Sequence, residues 1–344
     1  MSAVAQSEKG KKGKDKDAVR KLPYVAAITE GVRAVLLEQD NSFVAGEDVA
    51  GAGSVFGYYR GLLAEFGPKR VIDTPISEEA IIGLGVGAAA TGLRPIVDLM
   101  FMDFIGECMD EISNQMAKMR YMFGGSARLP VTVLTMAGAG MSLAAQHSQS
   151  LEGWLAHLPG VKVVMPSTPY DAKGLIIAAA RDDNPVFVVL NKASLAIQGE
   201  VPEEAYEVPL GVGKIVREGK DLTIVAVSRM VHEAVKAADI LAKSGVEVEI
   251  IDPRTIQPFD IDLVINSVRK THRAMVVHEA VRFGGFGGEV VAQIQELAFD
   301  WLDAPVARVG APFSPVPYSP VLEKAWMPDA DKIVAEVRRT IGIG

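Results

Sequence analysis

The chain has 344 residues, 49% of them hydrophobic and 23% charged, an ordinary globular composition that excludes wholesale disorder and, at roughly 150 residues per domain, suggests two domains. Lys and Arg total 35 against 43 Asp and Glu, a net charge of −8, which argues against a nucleic-acid binder. The single cysteine, Cys108, cannot form an intramolecular disulfide and fits a reducing, cytoplasmic setting.

Residues 1–22 read as a disordered basic arm, with Lys9, Lys11, Lys12, Lys14, Lys16, Arg20 and Lys21 set against Glu8, Asp15 and Asp17. No apolar run of signal-peptide length follows. From Pro23 onward, short apolar runs alternate with helical periodicity, the signature of parallel-sheet α/β architecture. A helix is expected from Val25 to about Asp40, then strands at Phe43–Gly46, Val71–Asp73 and Pro95–Met100, and a long helix over Phe104–Phe123. Val131–Met136, Val161–Met165 and Val186–Leu190 are further buried strands, with a crossover helix over Tyr170–Arg181. The uncharged stretch Leu129 to Leu151 carries Thr, Ser, Gln, His and several glycines, so no membrane span is expected. A stretch beginning at Asn191 and punctuated by Gly199, Pro202, Pro209, Gly211 and Gly213 breaks the rhythm. We place a linker at 201–221, between a first domain over 23–200 and a second over 222–344. The alternation then resumes: strand Leu222–Val227, helix Met230–Ser244, strand Val246–Ile251, helix Ile261–Arg269, strand Ala274–His278, helix Gly287–Phe299 and strand Val306–Val309.

Several segments could carry chemistry. Asp73 to Glu79 leaves a strand, turns at Pro75 and enters a helix, with Ser77 as the expected N-cap and Glu78 and Glu79 in the first turn. The ends of strands feeding helices are where α/β proteins place ligands, although a carboxylate there also simply complements the helix dipole. The run Gly83, Gly85, Gly87 imitates a dinucleotide loop but falls inside the helix, so we read Gly83 and Gly87 as allowing close packing. His147, among small polar residues after a glycine-bearing loop, could be an acid/base group or a structural hydrogen-bonding histidine. No G-x-S-x-G elbow is present, and the five histidines form no close ligand pair. Asp252 to Pro258 suggests a ligand turn or an interface, and Gly284 to Glu289 a tight turn with a dipole-complementing glutamate.

Taken in order, blocks such as Gly46-Glu47-Asp48-Val49, Arg70 to Glu78, Gly92-Leu93-Arg94-Pro95, Gln146-His147-Ser148-Gln149-Ser150, Pro169 to Leu175, Arg181 to Val186 and Leu302 to Val306 resemble the beta subunits of thiamine-diphosphate-dependent dehydrogenases of 2-oxo acid dehydrogenase complexes. The resemblance covers roughly residues 24–340. It implies a transketolase-like pyrimidine-binding domain, a parallel sheet with helices on both faces, followed by a three-layer α/β domain. It implies an alpha subunit that grips the cofactor's diphosphate and magnesium through Gly-Asp-Gly, a motif this chain lacks. By that resemblance Glu78 hydrogen-bonds the ring nitrogen opposite the exocyclic amine, favouring the imino tautomer whose nitrogen removes the thiazolium proton. Phe104 stacks on the pyrimidine, Glu47 is an acidic group beside it, and His147 faces the substrate and the incoming lipoyl arm. Backbone oxygens at Val131, Ala179, Ala180, Asp182 and Asn184 match positions that hold potassium. The implied partners are the alpha subunit, a second beta chain in an alpha2beta2 assembly, a lipoyl-bearing acyltransferase and a small-molecule substrate.

Two departures stand out. Asn191-Lys192 replaces an acidic residue common after that strand, and the loop Met136–Met141 lacks the usual Arg and Pro. The segments Asp98 to Phe104 and Arg120 to Gly125 resemble acetoin dehydrogenase beta chains more than pyruvate or branched-chain 2-oxo acid ones. The expected function is therefore cleavage of acetoin, or decarboxylation of a 2-oxo acid, with acyl transfer to lipoamide. A pyruvate or branched-chain 2-oxo acid dehydrogenase beta subunit, a split transketolase and a non-catalytic docking subunit are the alternatives.

Overall fold

Near-continuous Val, Ile and Leu runs make strands buried on both faces, and two largely parallel sheets form from them. The computed structural model describes residues 20–343. Its first sheet has seven strands in the order Thr255–Gln257, Lys162–Val164, Val186–Asn191, Thr132–Ala137, Arg94–Phe101, Ser42–Gly46 and Val71–Asp73. All run parallel except Thr255–Gln257 at the edge. The second sheet has five strands, ordered Ala307–Ala311, Ala274–Val281, Leu222–Ala226, Val248–Asp252 and Lys214–Arg217, the last antiparallel.

Successive strand residues face opposite sides of a sheet. Ile96 and Leu134 pack beneath the helices Tyr24–Glu38 and Pro169–Arg181, whereas Val97 and Val133 meet Ile82 and Val86 of the helix Glu78–Ala90 on the other face. The same apolar cluster continues to Val225 and Val276 of the second sheet, so one core spans both layers. The helices Met230–Ala242 and Ala330–Ile341 cover the second sheet's remaining face.

Several expectations change. Residues 1–19 of the basic arm lie outside the described residues, but its end is structured. Lys21–Pro23 pairs with Gln198–Glu200, and Arg20 bonds Glu30 at 2.7 Å and the Pro202 carbonyl. The stretch expected as linker ends in the edge strand Lys214–Arg217. The expected long helix over Phe104–Phe123 is a 3₁₀ turn at Met102–Gly106, a π-helical segment at Glu111–Met116 and one α-turn at Met119–Met122. Met102, Ile105, Cys108, Ile112 and Met116 are buried at spacings of three and four, as on one face of a regular helix, so the apolar pattern carries no sign of the break. Ser77 does occupy the N-cap position, but its side chain makes no capping bond. Close packing falls to Gly85, whose missing Cβ would sit 3.1 Å from Val97. Gly83 meets only the Glu111 side chain at 3.7 Å, and Gly87 meets nothing within 4 Å.

Of the two readings of Asp252 to Pro258, an interface is what forms. Met165 N–H donates to the Arg254 carbonyl at 2.8 Å, the Ser167 hydroxyl donates to the buried Asp252, and Arg254 pairs with the buried Asp171 at 2.8 Å. This segment fastens the second layer to the first.

Candidate active site

Parallel strands end on one edge, so the residues that follow them converge there. Register sets Gly46 beside both Asp73 and Asp98, Phe101 beside Met136, and Ala137 beside Asn191. Glu47 is the next residue after Gly46, and Glu78 opens its helix four residues after Thr74 leaves the Val71–Asp73 strand. Phe104 lies in the 3₁₀ turn that follows the Arg94–Phe101 strand, and His147 lies in the loop after Thr132–Ala137. The close approach at Gly46 requires glycine, because a Cβ would stand 2.8 Å from both the side chain and the carbonyl of Asp98.

Glu47 and Glu78 are both half-buried, and they share one electrostatic environment. Burial raises the Glu47 carboxyl above its usual range, and the negative charges of Asp48 and Glu78 push it further the same way. Burial first, then the Glu78 charge, pushes the Cys108 thiol up to about 12, which leaves it an inert thiol. Behind this pair lies Asp98, which is buried and accepts from the Tyr58 hydroxyl at 2.6 Å, the Tyr59 hydroxyl at 2.8 Å and the Met100 N–H at 2.9 Å. Burial pushes Asp98 up to about 6 against those three bonds, and the Glu47 charge adds to the rise.

Aromatic rings form the adjoining wall. His147 meets Phe101 edge-on at 4.7 Å and Phe104 at 5.5 Å, and Phe101 and Phe104 are 6.0 Å apart. Phe56 extends the wall at 5.3 Å from Phe101. The four sequence-derived site residues thus form two groups on one edge, carboxylates at one side and a histidine-bearing aromatic wall at the other. A half-buried carboxylate pair beside a wall of edge-packed rings fits a flat, nitrogen-bearing heterocycle that needs one polar contact and apolar faces.

The second domain holds the histidine's loop. Glu279 accepts from the Ala139 N–H at 2.5 Å and the Asn191 amide at 3.0 Å, and Glu323 accepts from the N–H groups of Gly140 at 2.8 Å and Ser142 at 3.0 Å. Sequence reasoning missed Asp98, Phe101, Asp103, Glu279 and Glu323 as site residues. Phe101 had a signal, being an aromatic three residues before Phe104. The carboxylates had little, since most of their partners lie far away in sequence, the Tyr59 hydroxyl 39 residues from Asp98 and the Gly140 N–H 183 residues from Glu323.

The proposed potassium residues cluster where Thr132–Ala137 starts and Pro169–Arg181 ends. The carbonyls of Val131, Ala179, Ala180 and Asp182 each accept an N–H bond, from Val186, Asp182 and, for the last two, the Arg94 guanidinium. The Asp182 side chain pairs with Lys162 and accepts from Asn184. Among the described residues, no three His, Cys, Asp or Glu side chains converge on a metal position.

Comparison with known proteins places this geometry. Residues 20–198 match the transketolase pyrimidine-binding domain and residues 211–333 the transketolase C-terminal domain. The chain is 47% identical over 328 residues to the acetoin:2,6-dichlorophenolindophenol oxidoreductase subunit beta of Bacillus subtilis, covering 92% of this chain and 96% of that one. It belongs to the thiamine-dependent dehydrogenase beta subunits. Other members of this beta-subunit family include the Cupriavidus necator acetoin:2,6-dichlorophenolindophenol oxidoreductase subunit beta, 46% identical with 94% and 98% coverage, and the Bacillus subtilis pyruvate dehydrogenase E1 component subunit beta, 45% identical with 93% and 98% coverage. A solved split gene transketolase, described as an inactive beta4 tetramer, shares the fold at TM-score 0.76 and 23% identity, covering 94% of this chain and 99% of its own. No helix among the described residues is long and apolar enough to cross a membrane.

Proposed function

We propose that this beta subunit joins an alpha chain to cleave acetoin, or to decarboxylate a 2-oxo acid, and passes the acyl group to the lipoyl arm of an acyltransferase. One observation carries the reading: the half-buried Glu47–Glu78 pair beside the Phe101–Phe104–His147 wall, on one edge of a parallel sheet. Thiamine diphosphate supplies the nucleophilic carbon and the electron sink when bound.

The residues of this chain orient one end of it. Glu78, at a helix N-terminus where the peptide dipoles favour an anion, accepts from the ring nitrogen and sets the ring's tautomer. Phe104 covers a face of the ring and excludes water. Glu47 stands beside Glu78 as a second acidic group, its carboxyl raised by burial and by the charges of Asp48 and Glu78. His147, on the far side of the rings, donates a proton toward substrate oxygen or the acyl acceptor. Without a Gly-Asp-Gly sequence, this chain leaves the diphosphate and its magnesium to the alpha subunit, so the site is complete only in an alpha2beta2 assembly.

Potassium would be held by the carbonyls of Val131, Ala179, Ala180 and Asp182 with the Asn184 segment, and two of these carbonyls also accept from the Arg94 guanidinium. Each of those four oxygens spends one lone pair on an N–H donor and keeps another for a cation. Exchange of potassium for sodium is expected to lower the unfolding temperature of the assembled pair. An unchanged temperature would remove the ion from this account.

The deciding experiment presents acetoin, pyruvate and branched-chain 2-oxo acids to the purified alpha–beta pair with 2,6-dichlorophenolindophenol as electron acceptor. Acetoin is expected to give the highest kcat/KM. Dye reduction with none of these substrates, alongside activity on a ketose phosphate and an aldose, would instead favour the split transketolase.

A further inference from the structure

Lys192 starts the short turn after strand Val186–Asn191, on the same sheet edge as the site. Only 2% of it is exposed, and its Nζ makes no hydrogen bond among the described residues. The ammonium lies 5.6 Å from the centroid of the Phe101 ring, which itself packs against His147 and Phe104. An isolated buried cation is costly unless opposite charge compensates it. Burial pulls Lys192 down to about 8, and Asp103, Glu279 and Glu323 oppose that pull, in that order.

These three carboxylates are not equally free. Glu279 pairs with Arg229 at 3.3 Å and accepts from Ala139 and Asn191. Glu323 accepts on both oxygens, from Gly140 and Ser142. Asp103 accepts from the N–H groups of Ser148 at 3.2 Å and Gln149 at 3.1 Å and from the Gln149 amide at 3.0 Å, all on Oδ1, while its buried Oδ2 has no partner. Asp103 and Lys192 are therefore left to compensate each other through space.

We propose that Lys192 is a positioning residue for His147: its ammonium fixes the Phe101 ring by cation–π attraction and compensates the charge of Asp103, and Asp103 clamps the backbone directly after His147. This inference deepens the proposed function and rests on it. Removing the cation frees the Phe101 ring and leaves the buried Asp103 charge uncompensated, which displaces Ser148 and Gln149, and with them the histidine. Asp103→Asn restores neutrality beside Lys192→Met while still offering an acceptor oxygen to the same donors.

The test measures kcat and KM for acyl transfer to lipoamide in the assembled alpha–beta pair. Lys192→Met is expected to lower kcat about tenfold with KM within about twofold, the pattern of a misplaced transition-state group. Lys192→Arg is expected to keep most of the activity, and the double variant Lys192→Met/Asp103→Asn to recover much of the loss. Adding Lys192→Met to His147→Ala should cost nothing further. Wild-type kcat in Lys192→Met overturns the inference, and so does a loss that adds fully to His147→Ala and is not rescued by Asp103→Asn. If Lys192→Met does not assemble, Asp103→Asn alone should lower kcat and show the same non-additivity with His147→Ala, and wild-type kcat there overturns it. Glu78→Gln in the same pair separates the two levels: an active Glu78→Gln defeats the proposed function, whereas an inert Glu78→Gln beside a fully active Lys192→Met defeats only this inference.

Discussion

Two carboxylates a few residues from neighbouring strand ends sit in different backbone settings. Glu78 heads a helix, where the first-turn N–H groups favour a negative charge, whereas Glu47 follows a strand and meets burial and two like charges. Glu47→Gln removes a charge without changing shape and should therefore be the milder change, weakening cofactor binding by the alpha–beta pair several-fold. Titration of the cofactor against the variant checks this, and a loss as deep as that of Glu78→Gln would mean that the roles are reversed. At the other side of the rings, His147→Ala should slow acyl transfer to lipoamide by on the order of a hundredfold, the usual scale of a lost acid/base group. Single-turnover transfer at the wild-type rate would deny His147 that task.

Elements decide which of these side chains can meet. The loop after Thr132–Ala137 turns at Gly138 with φ of +93°, and a Cβ there would come 2.5 Å from the Asn191 amide nitrogen and 2.8 Å from Glu279. Gly138→Ala combines backbone strain with that collision. It should destabilise the chain by about 2 kcal/mol or more, measurable by denaturant unfolding, and a neutral result would mean that Asn191 and Glu279 move freely aside. The regular elements were legible because their periods are pure: alternating faces in the strands and the helical spacing of Tyr24–Glu38 need no distant information. The irregularity from Met102 to Met122 was not, since its buried positions keep the three- and four-residue spacing of a regular helix. Gly85 was also overlooked. A glycine's packing role depends on which helix face meets the sheet, and Gly83 and Gly87 share the other face.

The whole molecule is held by contacts that run between its two layers, and these are where sequence reasoning ended. The resemblance brought out Glu47, Glu78, Phe104 and His147 because each sits in a short local motif. Asp98, Asp103, Lys192, Glu279 and Glu323 acquire their roles only when strands far apart in sequence are laid side by side. One such group is Glu152, 1% exposed, with an oxygen that has no partner. Burial pushes it up to about 7, with the Glu279 charge adding to the rise. Because the folded chain binds this proton more tightly than the unfolded chain, the group favours the fold most below its ordinary 4.5, and that advantage is lost as pH rises through about 7. Glu152→Gln should flatten the stability profile across that window and make the assembly more stable at pH 8 by ~1–3 kcal/mol. Unfolding curves at pH 5 and pH 8 read this directly, and an unchanged difference between them would exclude Glu152 as its source.

The most direct test of the central claim is the turnover of Glu78→Gln in the reconstituted alpha2beta2 assembly. The account predicts a complex of normal mass that still binds thiamine diphosphate but turns over at least about a hundredfold more slowly. Turnover near the wild-type rate would contradict it.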